Sequence, residues 1–196
     1  TTTRTIFFIT FLTYPVLVGM VLVLPFFMQV FPIYQKWQAS VVPLGFMVIN
    51  IFFAAATTLL TNLLAAIGKI KTVSKLIVMW TVLTIIFVPT LGYRYGVNGA
   101  AAGYAIVSVS SVIAIYIAKK YVNFSLLEST IKPFVSSILM GVIILIFKQF
   151  LGFSFLNLII LILAGGVSYM GFSYLLYGQK IITDVKKISG IFTGAK

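Results

Sequence analysis

The sequence predicts an all-α, polytopic membrane protein, with six transmembrane helices in one bundle and both termini in the cytoplasm. Three observations carry this expectation. The 196 residues are 61% hydrophobic and 8% charged, where soluble domains carry about 25% charged residues; the mean hydropathy is +1.17. The apolar residues gather into six long stretches. Between them Lys and Arg alternate sparse and dense: Arg4, then Lys36, then Lys69/Lys71/Lys75, then Arg94, then Lys119/Lys120/Lys132, then Lys148, then Lys180/Lys186/Lys187/Lys196. Every second cluster, counted from Arg4, holds eleven of the 14 cations. Loops that stay in the cytoplasm retain Lys and Arg, because moving them across a membrane is unfavourable.

The first helix runs from about Ile6 to Phe31. At 1.5 Å per residue it spans roughly 39 Å, against a hydrocarbon core of about 30 Å, so it must tilt or bend. Pro15 and Pro25 lie inside it and each removes a backbone hydrogen bond. Pro32, Lys36 and Trp37 form the first outer loop, with Trp37 suited to the interface. The second helix covers about Val41 to Ile67, with Gly68 as its C-terminal cap and KIKTVSK as a basic inner loop. The third covers about Leu76 to Leu91 and the fourth about Gly99 to Ala118. The loop GYRYGVNG between them is a turn by its glycines and Asn98, with Tyr93 and Tyr95 at the outer interface.

After Lys119 and Lys120, Ser125 with Glu128 makes a capping box. Leu126, Leu127 and Ile131 follow as a short apolar face, which predicts a brief helix on the cytoplasmic surface. The fifth helix starts at Pro133, a good first-turn residue, and ends near Leu151 if Lys148 snorkels. The sixth runs from about Phe155 to Tyr177. Residues 1–178 thus form the six-helix lobe, and 179–196 a basic tail against the inner membrane surface.

Composition narrows function. A net charge of +12 would suggest nucleic acid in a soluble protein. Here topology and anionic lipids account for it, so membrane lipids are the expected partner and nucleic acid is not. There is no Cys and no His, and the only acids, Glu128 and Asp184, lie outside the apolar segments. Acid–base catalysis and metal binding usually draw on these residue types. No enzyme, metal site or cofactor is expected, nor a proton relay through an intramembrane carboxylate.

Helix packing and polar lining remain. Gly99 and Gly103 stand one turn apart, with Ser110 and Ala114 continuing their face, which lets two helices approach closely. Gly165 and Gly166 offer the same. On the second helix Asn50, Ala54, Thr57 and Thr61 share a face, with Asn62 at its edge. Such a stripe either bonds to neighbouring helices or faces a watery cavity. Thr10, Thr13 and Tyr14 form a similar face on the first helix. Arg4 is either a cytoplasmic anchor or a guanidinium fork for phosphate in a cavity. The candidate substrate-binding set is therefore Arg4, Thr10, Tyr14, Asn50, Thr57 and Thr61.

Three stretches resemble the C-terminal lobe of polysaccharide flippases, within the multidrug/oligosaccharidyl-lipid/polysaccharide exporter superfamily. VLVLPFFMQVFPIYQKWQASVVPLGFMVINIFFAAATTLLTNLLAAIGKIKTVSK resembles the first helix pair of that lobe. YRYGVNGAAAGYAIVSVSSVIAIYIAKKY is similar to the next hairpin, with its Gly-x-x-Gly-Ala-Ala start. STIKPFVSSILMGVIILI is similar to the segment after it. The resemblance covers roughly residues 15–150. It implies two bundles of six helices, both termini cytoplasmic, and transfer of lipid-linked oligosaccharide from inner to outer leaflet by alternating access. It also implies a cationic cavity for the pyrophosphate and a prokaryotic inner-membrane location. The sequence departs from the family at FPIYQKW, where an aromatic-Gly pair and an acidic residue often stand. The first residue is Thr1 and no N-terminal lobe is present, so the chain is expected to be the second half of a longer polypeptide. A drug/cation antiporter of the same superfamily and a non-transporting scaffold for polysaccharide assembly stay open as alternatives.

Overall fold

The computed structural model describes residues 2–122, 125 and 127–178, the side chains of 2–4, 127 and 128 excepted. The expected tail over 179–196 lies outside them. The described residues are helical almost throughout: α1 (Thr2–Val30), a 3-10 helix (Pro32–Ser40), α2 (Val41–Ala66), α3 (Ile70–Val109), α4 (Ser111–Tyr121), a π-turn (Leu127–Ile131), α5 (Lys132–Phe150) and α6 (Phe155–Tyr177). Five helical segments are long and apolar enough to cross a membrane: Thr5–Val30, Pro32–Ala66, Ile70–Tyr121, Ser129–Phe150 and Phe155–Tyr177.

The third of these is a hairpin rather than a rod. Gly96 interrupts α3 with φ 62° and ψ −144°, a conformation open only to glycine. In a straight helix Val88 and Gly103 would stand roughly 22 Å apart. Here a methyl group at Gly103 would come within 2.9 Å of the Val88 Cα. One at Gly99 would come within 2.6 Å of the Leu91 carbonyl carbon and overlap its oxygen. The arms 70–95 and 97–109 therefore lie back to back through backbone contact. The turn expected over GYRYGVNG narrows to one residue, because nothing in GYRY or in VN forbids helix on either side.

α1 is the hub. It packs on α2 on one flank and on α5, α6 and the π-turn on the other, while α3 leans on α2. One core joins Ile6 of α1 to Ala56, Leu60 and Leu64 of α2 and Ala118 of α4. The other joins Phe26 of α1 to Met140 and Ile144 of α5 and to Leu158, Leu161 and Tyr169 of α6.

Several expected boundaries shift for physical reasons. The basic loop KIKTVSK is mostly helix: only residues 67–69 separate α2 from α3. Apolar content marks the hydrocarbon span, whereas a helix continues beyond it until something stops it. Here Gly68 does, at φ 79°, with its N–H on the Ala65 carbonyl (3.0 Å) and the Lys69 N–H on the Leu64 carbonyl (2.8 Å). The first outer loop is likewise helical, a 3-10 turn opened by Pro32 with Tyr34 N–H on the Phe31 carbonyl (3.0 Å).

The brief helix expected before α5 on the cytoplasmic surface is not a separate element, and Leu126 of its expected apolar face lies outside the described residues. Leu127–Ile131 runs straight into α5, and Ser129 is fully buried against α1. Proline explains this. Pro133 has no N–H for the Ser129 carbonyl four residues back, and the Thr10 hydroxyl of α1 donates to that carbonyl instead. The same arrangement recurs at Pro15. The carbonyl it releases is that of Phe11, and the Tyr169 hydroxyl of α6 donates to it at 2.7 Å. Two prolines thus supply the acceptors for two bonds between helices.

Candidate functional site

The predicted site residues separate into three groups. Arg4 lies in the first turns of α1, its side chain outside the described residues. Thr10 and Tyr14 belong to the core. The Thr10 Oγ1 is ringed by the carbonyls of Ile6, Phe7 and Ser129. Tyr14 is 1% exposed; its ring stacks on Phe52 at 4.3 Å and meets Phe134 edge-on at 6.4 Å. Both side chains are engaged in packing α1 against its neighbours. The polar face they share on α1 is used for packing.

The α2 stripe behaves differently. Asn50, Ala54 and Thr57 line a niche of about 200 Å³, completed by Thr58, Trp80, Val107, Ser108 and Ser111. Three elements build it: α2 supplies one wall, the first arm of α3 supplies Trp80, and the second arm with the start of α4 supplies the serines. Asn50 Nδ2 donates to the Tyr104 carbonyl at 3.4 Å and bridges α2 to the second arm. Thr57 donates to the Phe53 carbonyl (2.9 Å) and Ser108 to the Ala105 carbonyl (2.7 Å). The stripe therefore both bonds to a neighbouring helix and faces a cavity. Thr61 turns back onto its own helix, with Thr57 and Thr58 carbonyls at 3.0 and 2.9 Å, and is not part of the niche wall.

Among the described residues, three buried side-chain polar atoms lack a hydrogen-bond partner: Trp80 Nε1, Ser136 Oγ and Ser173 Oγ. Trp80 is the one at the niche. Reading α2 alone missed Trp80, Ser108 and Ser111. A signal was present: Trp80 sits eleven residues into its helix, whereas Trp in membrane proteins favours the interface.

The glycine expectations divide as well. Gly99 and Gly103 are the seam of the α3 hairpin, and Ala114 beyond them is fully buried. Gly165 packs on Ile144 of α5, where an added methyl would meet Cδ1 at 3.0 Å. Gly166 has nothing within 4 Å of an added methyl and instead borders an apolar groove of about 490 Å³ between α1, α5 and α6.

The cations sort by end. Lys69 lies over the Tyr121 ring at 4.7 Å, which brings the α2–α3 link to the end of α4. Lys132 donates to the Leu176 carbonyl at 2.9 Å and lies over the Tyr177 ring at 4.9 Å. Tyr177 in turn meets Phe7 at 5.0 Å. Lys69 and Lys132, from the two dense clusters that lie among the described residues, therefore share one end of the bundle with the start of α1. Lys36 and Lys148 lie toward the other end, where Phe31 meets Phe155 at 6.1 Å, and Arg94 sits beside the hairpin reversal.

Fold and site together define a multi-pass helical membrane protein with a neutral polar niche between its helices. No protein-family model matches the chain, and no curated protein or solved structure matches it either.

Proposed function

We propose that the chain is one lobe of an alternating-access transporter that moves lipid-linked oligosaccharide from the inner to the outer leaflet of a prokaryotic cell membrane. It crosses six times, with both termini cytoplasmic, and a second lobe supplies the rest of the cavity. What carries this is the reversal at Gly96: it falls inside YRYGVNGAAAGY, where the resemblance to polysaccharide flippases places a hairpin, and turns five apolar segments into six arms. The placement of Lys69 and Lys132 at one end supports the orientation.

Two measurements test it. The chain has no Cys, so a single introduced cysteine is a unique label. With Asn98→Cys, an impermeant maleimide added outside intact cells should react; with Thr72→Cys it should not. The reverse pattern sinks the orientation. The polypeptide of the complete reading frame, reconstituted in vesicles, should transfer a fluorescent pyrophosphate-linked oligosaccharide lipid between leaflets. Arg4→Gln should slow this about tenfold, as loss of a charged hydrogen bond to phosphate does. No transfer above empty vesicles would exclude the transporter, whatever the topology.

A further inference from the structure

The groove between α1, α5 and α6 lies wholly within segments long and apolar enough to cross a membrane, so hydrocarbon rather than water surrounds it. Its floor is α5, through the buried side chains of Met140 and Ile144. Its walls are Val16 and Met20 of α1 and Ile162 and Met170 of α6, each at least 50% exposed. It stays open because Gly166 puts no side chain into it: a methyl there would meet nothing within 4 Å.

The dimensions decide what can lie in it. Along α1 the groove runs from Phe11 to Val23, about 18 Å at 1.5 Å per residue. A volume of about 490 Å³ spread over that length leaves a cross-section of roughly 27 Å². An α-helix with its side chains is about 10 Å or more across, and so needs on the order of 80 Å². A helix could rest only on the rim, with the floor left unfilled. One hydrocarbon chain can lie along the floor itself. The lining suits a flexible occupant: Met20, Met140 and Met170 are three of the six methionines of the chain. Their unbranched thioethers mould to irregular apolar shapes.

The two ends of the groove differ. Beyond Val23 and Ile162, α1 and α6 come together in the core that buries Phe26 and Leu158. At the opposite end Phe11 meets Phe7 at 5.2 Å, and Phe7 meets Tyr177 at 5.0 Å. Lys132 lies over that Tyr177 ring at 4.9 Å. Its ammonium carries three donors, and one goes to the Leu176 carbonyl. A ladder of rings therefore leads from the open end of the groove to a cation. Basic positions between membrane helices attract anionic headgroups.

We infer that this groove holds one hydrocarbon chain of an anionic phospholipid, with the phosphate at the Lys132 end. The lipid fills the space between α1 and α6 over α5, whether or not the chain transports.

The polypeptide of the complete reading frame, in detergent, is titrated with phosphatidylglycerol or phosphatidylcholine and read by native mass spectrometry. One phosphatidylglycerol should bind saturably, at least several-fold more tightly than phosphatidylcholine. Gly166→Leu puts a side chain into the groove and should weaken this at least tenfold. Gly171→Leu, equally open but not on the groove lining, should leave it unchanged. Lys132→Gln should abolish the headgroup preference while one lipid still binds, and Lys132→Arg should restore it. Circular dichroism confirms that each variant keeps its helix content. Unsaturable uptake of many lipids, or equal binding by Gly166→Leu and wild type, overturns the inference. So does a headgroup preference that survives Lys132→Gln. A dimer that Gly166→Leu dissociates would place a second copy on the groove, and would overturn it as well.

Discussion

The two flanks of α1 are held by different means. On the α5–α6 flank large side chains interlock: Phe26, Met140, Ile144, Leu158 and Leu161 are all nearly or wholly buried together. Two hydroxyls then reach across to carbonyls that Pro15 and Pro133 have released. On the α2–α3–α4 flank the closest approach is backbone on backbone, through Gly99 and Gly103, and the polar niche lies beside that seam. Lipid tails give helices no hydrophobic reason to associate, so contact density and hydrogen bonds must do it. One flank obtains density from large side chains throughout; the other adds to its Ile6–Leu60–Leu64 core a seam where the two arms of the hairpin meet with no side chain between them. A flank of the second kind tolerates substitution least at its glycines. It also leaves room for a niche where the arms diverge.

This contrast can be broken at four places, from the largest expected effect to the smallest. Gly99→Ala forces a methyl against the Leu91 carbonyl, where no flexible side chain can yield. Overpacking of this kind should cost about 3 kcal/mol or more. Thermal unfolding in detergent, with protease sensitivity of the hairpin, measures it; a wild-type midpoint would disprove the backbone seam. Ile144→Ala on the opposite flank removes a fully buried side chain from the α5–α6 interface and should cost about 2 kcal/mol. An equal or larger loss than Gly99→Ala would reverse the ranking of the two flanks.

The third change isolates the proline device. Tyr169→Phe should cost roughly 0.6–1 kcal/mol, the usual size of an interhelix hydrogen bond in lipid. Pro15→Ala returns an N–H to the Phe11 carbonyl, so the loss should shrink when both changes are made together. A double-mutant cycle of unfolding free energies reads this coupling, and strict additivity would remove it. Last, Thr57→Val should lie within about 0.5 kcal/mol of wild type, because its hydroxyl bonds only its own helix. A loss above that in unfolding free energy would mean that the Thr57 hydroxyl also bonds across the niche to a neighbouring helix.

What the sequence made legible follows from how local each signal is. α6 occupies 155–177 as expected, since Ser154 is extended at one end and Gly178 takes positive φ at the other. The Gly68 cap and the close pairing through Gly99 and Gly103 are also local facts, written in residues that permit one backbone geometry. The N-terminal reach of α3 was hidden because Lys71 and Lys75 lower hydropathy without opposing helix. The burial of Ser129 and the roles of Thr10 and Tyr169 depend on pairs as far apart as 158 residues, which no periodicity reveals. For the niche, the α2 wall was readable as a polar stripe, but Trp80 and Ser108 join it only once the hairpin folds back.

That the hairpin reverses within a single residue bears on how the chain is made. Only Gly96 separates the two helical arms, so little chain is available for one arm to take its place before the other. An insertion of a few polar residues at Gly96 would lengthen the wait between the two arms, and would show as a slower step in membrane integration long before any fault appeared in the finished bundle.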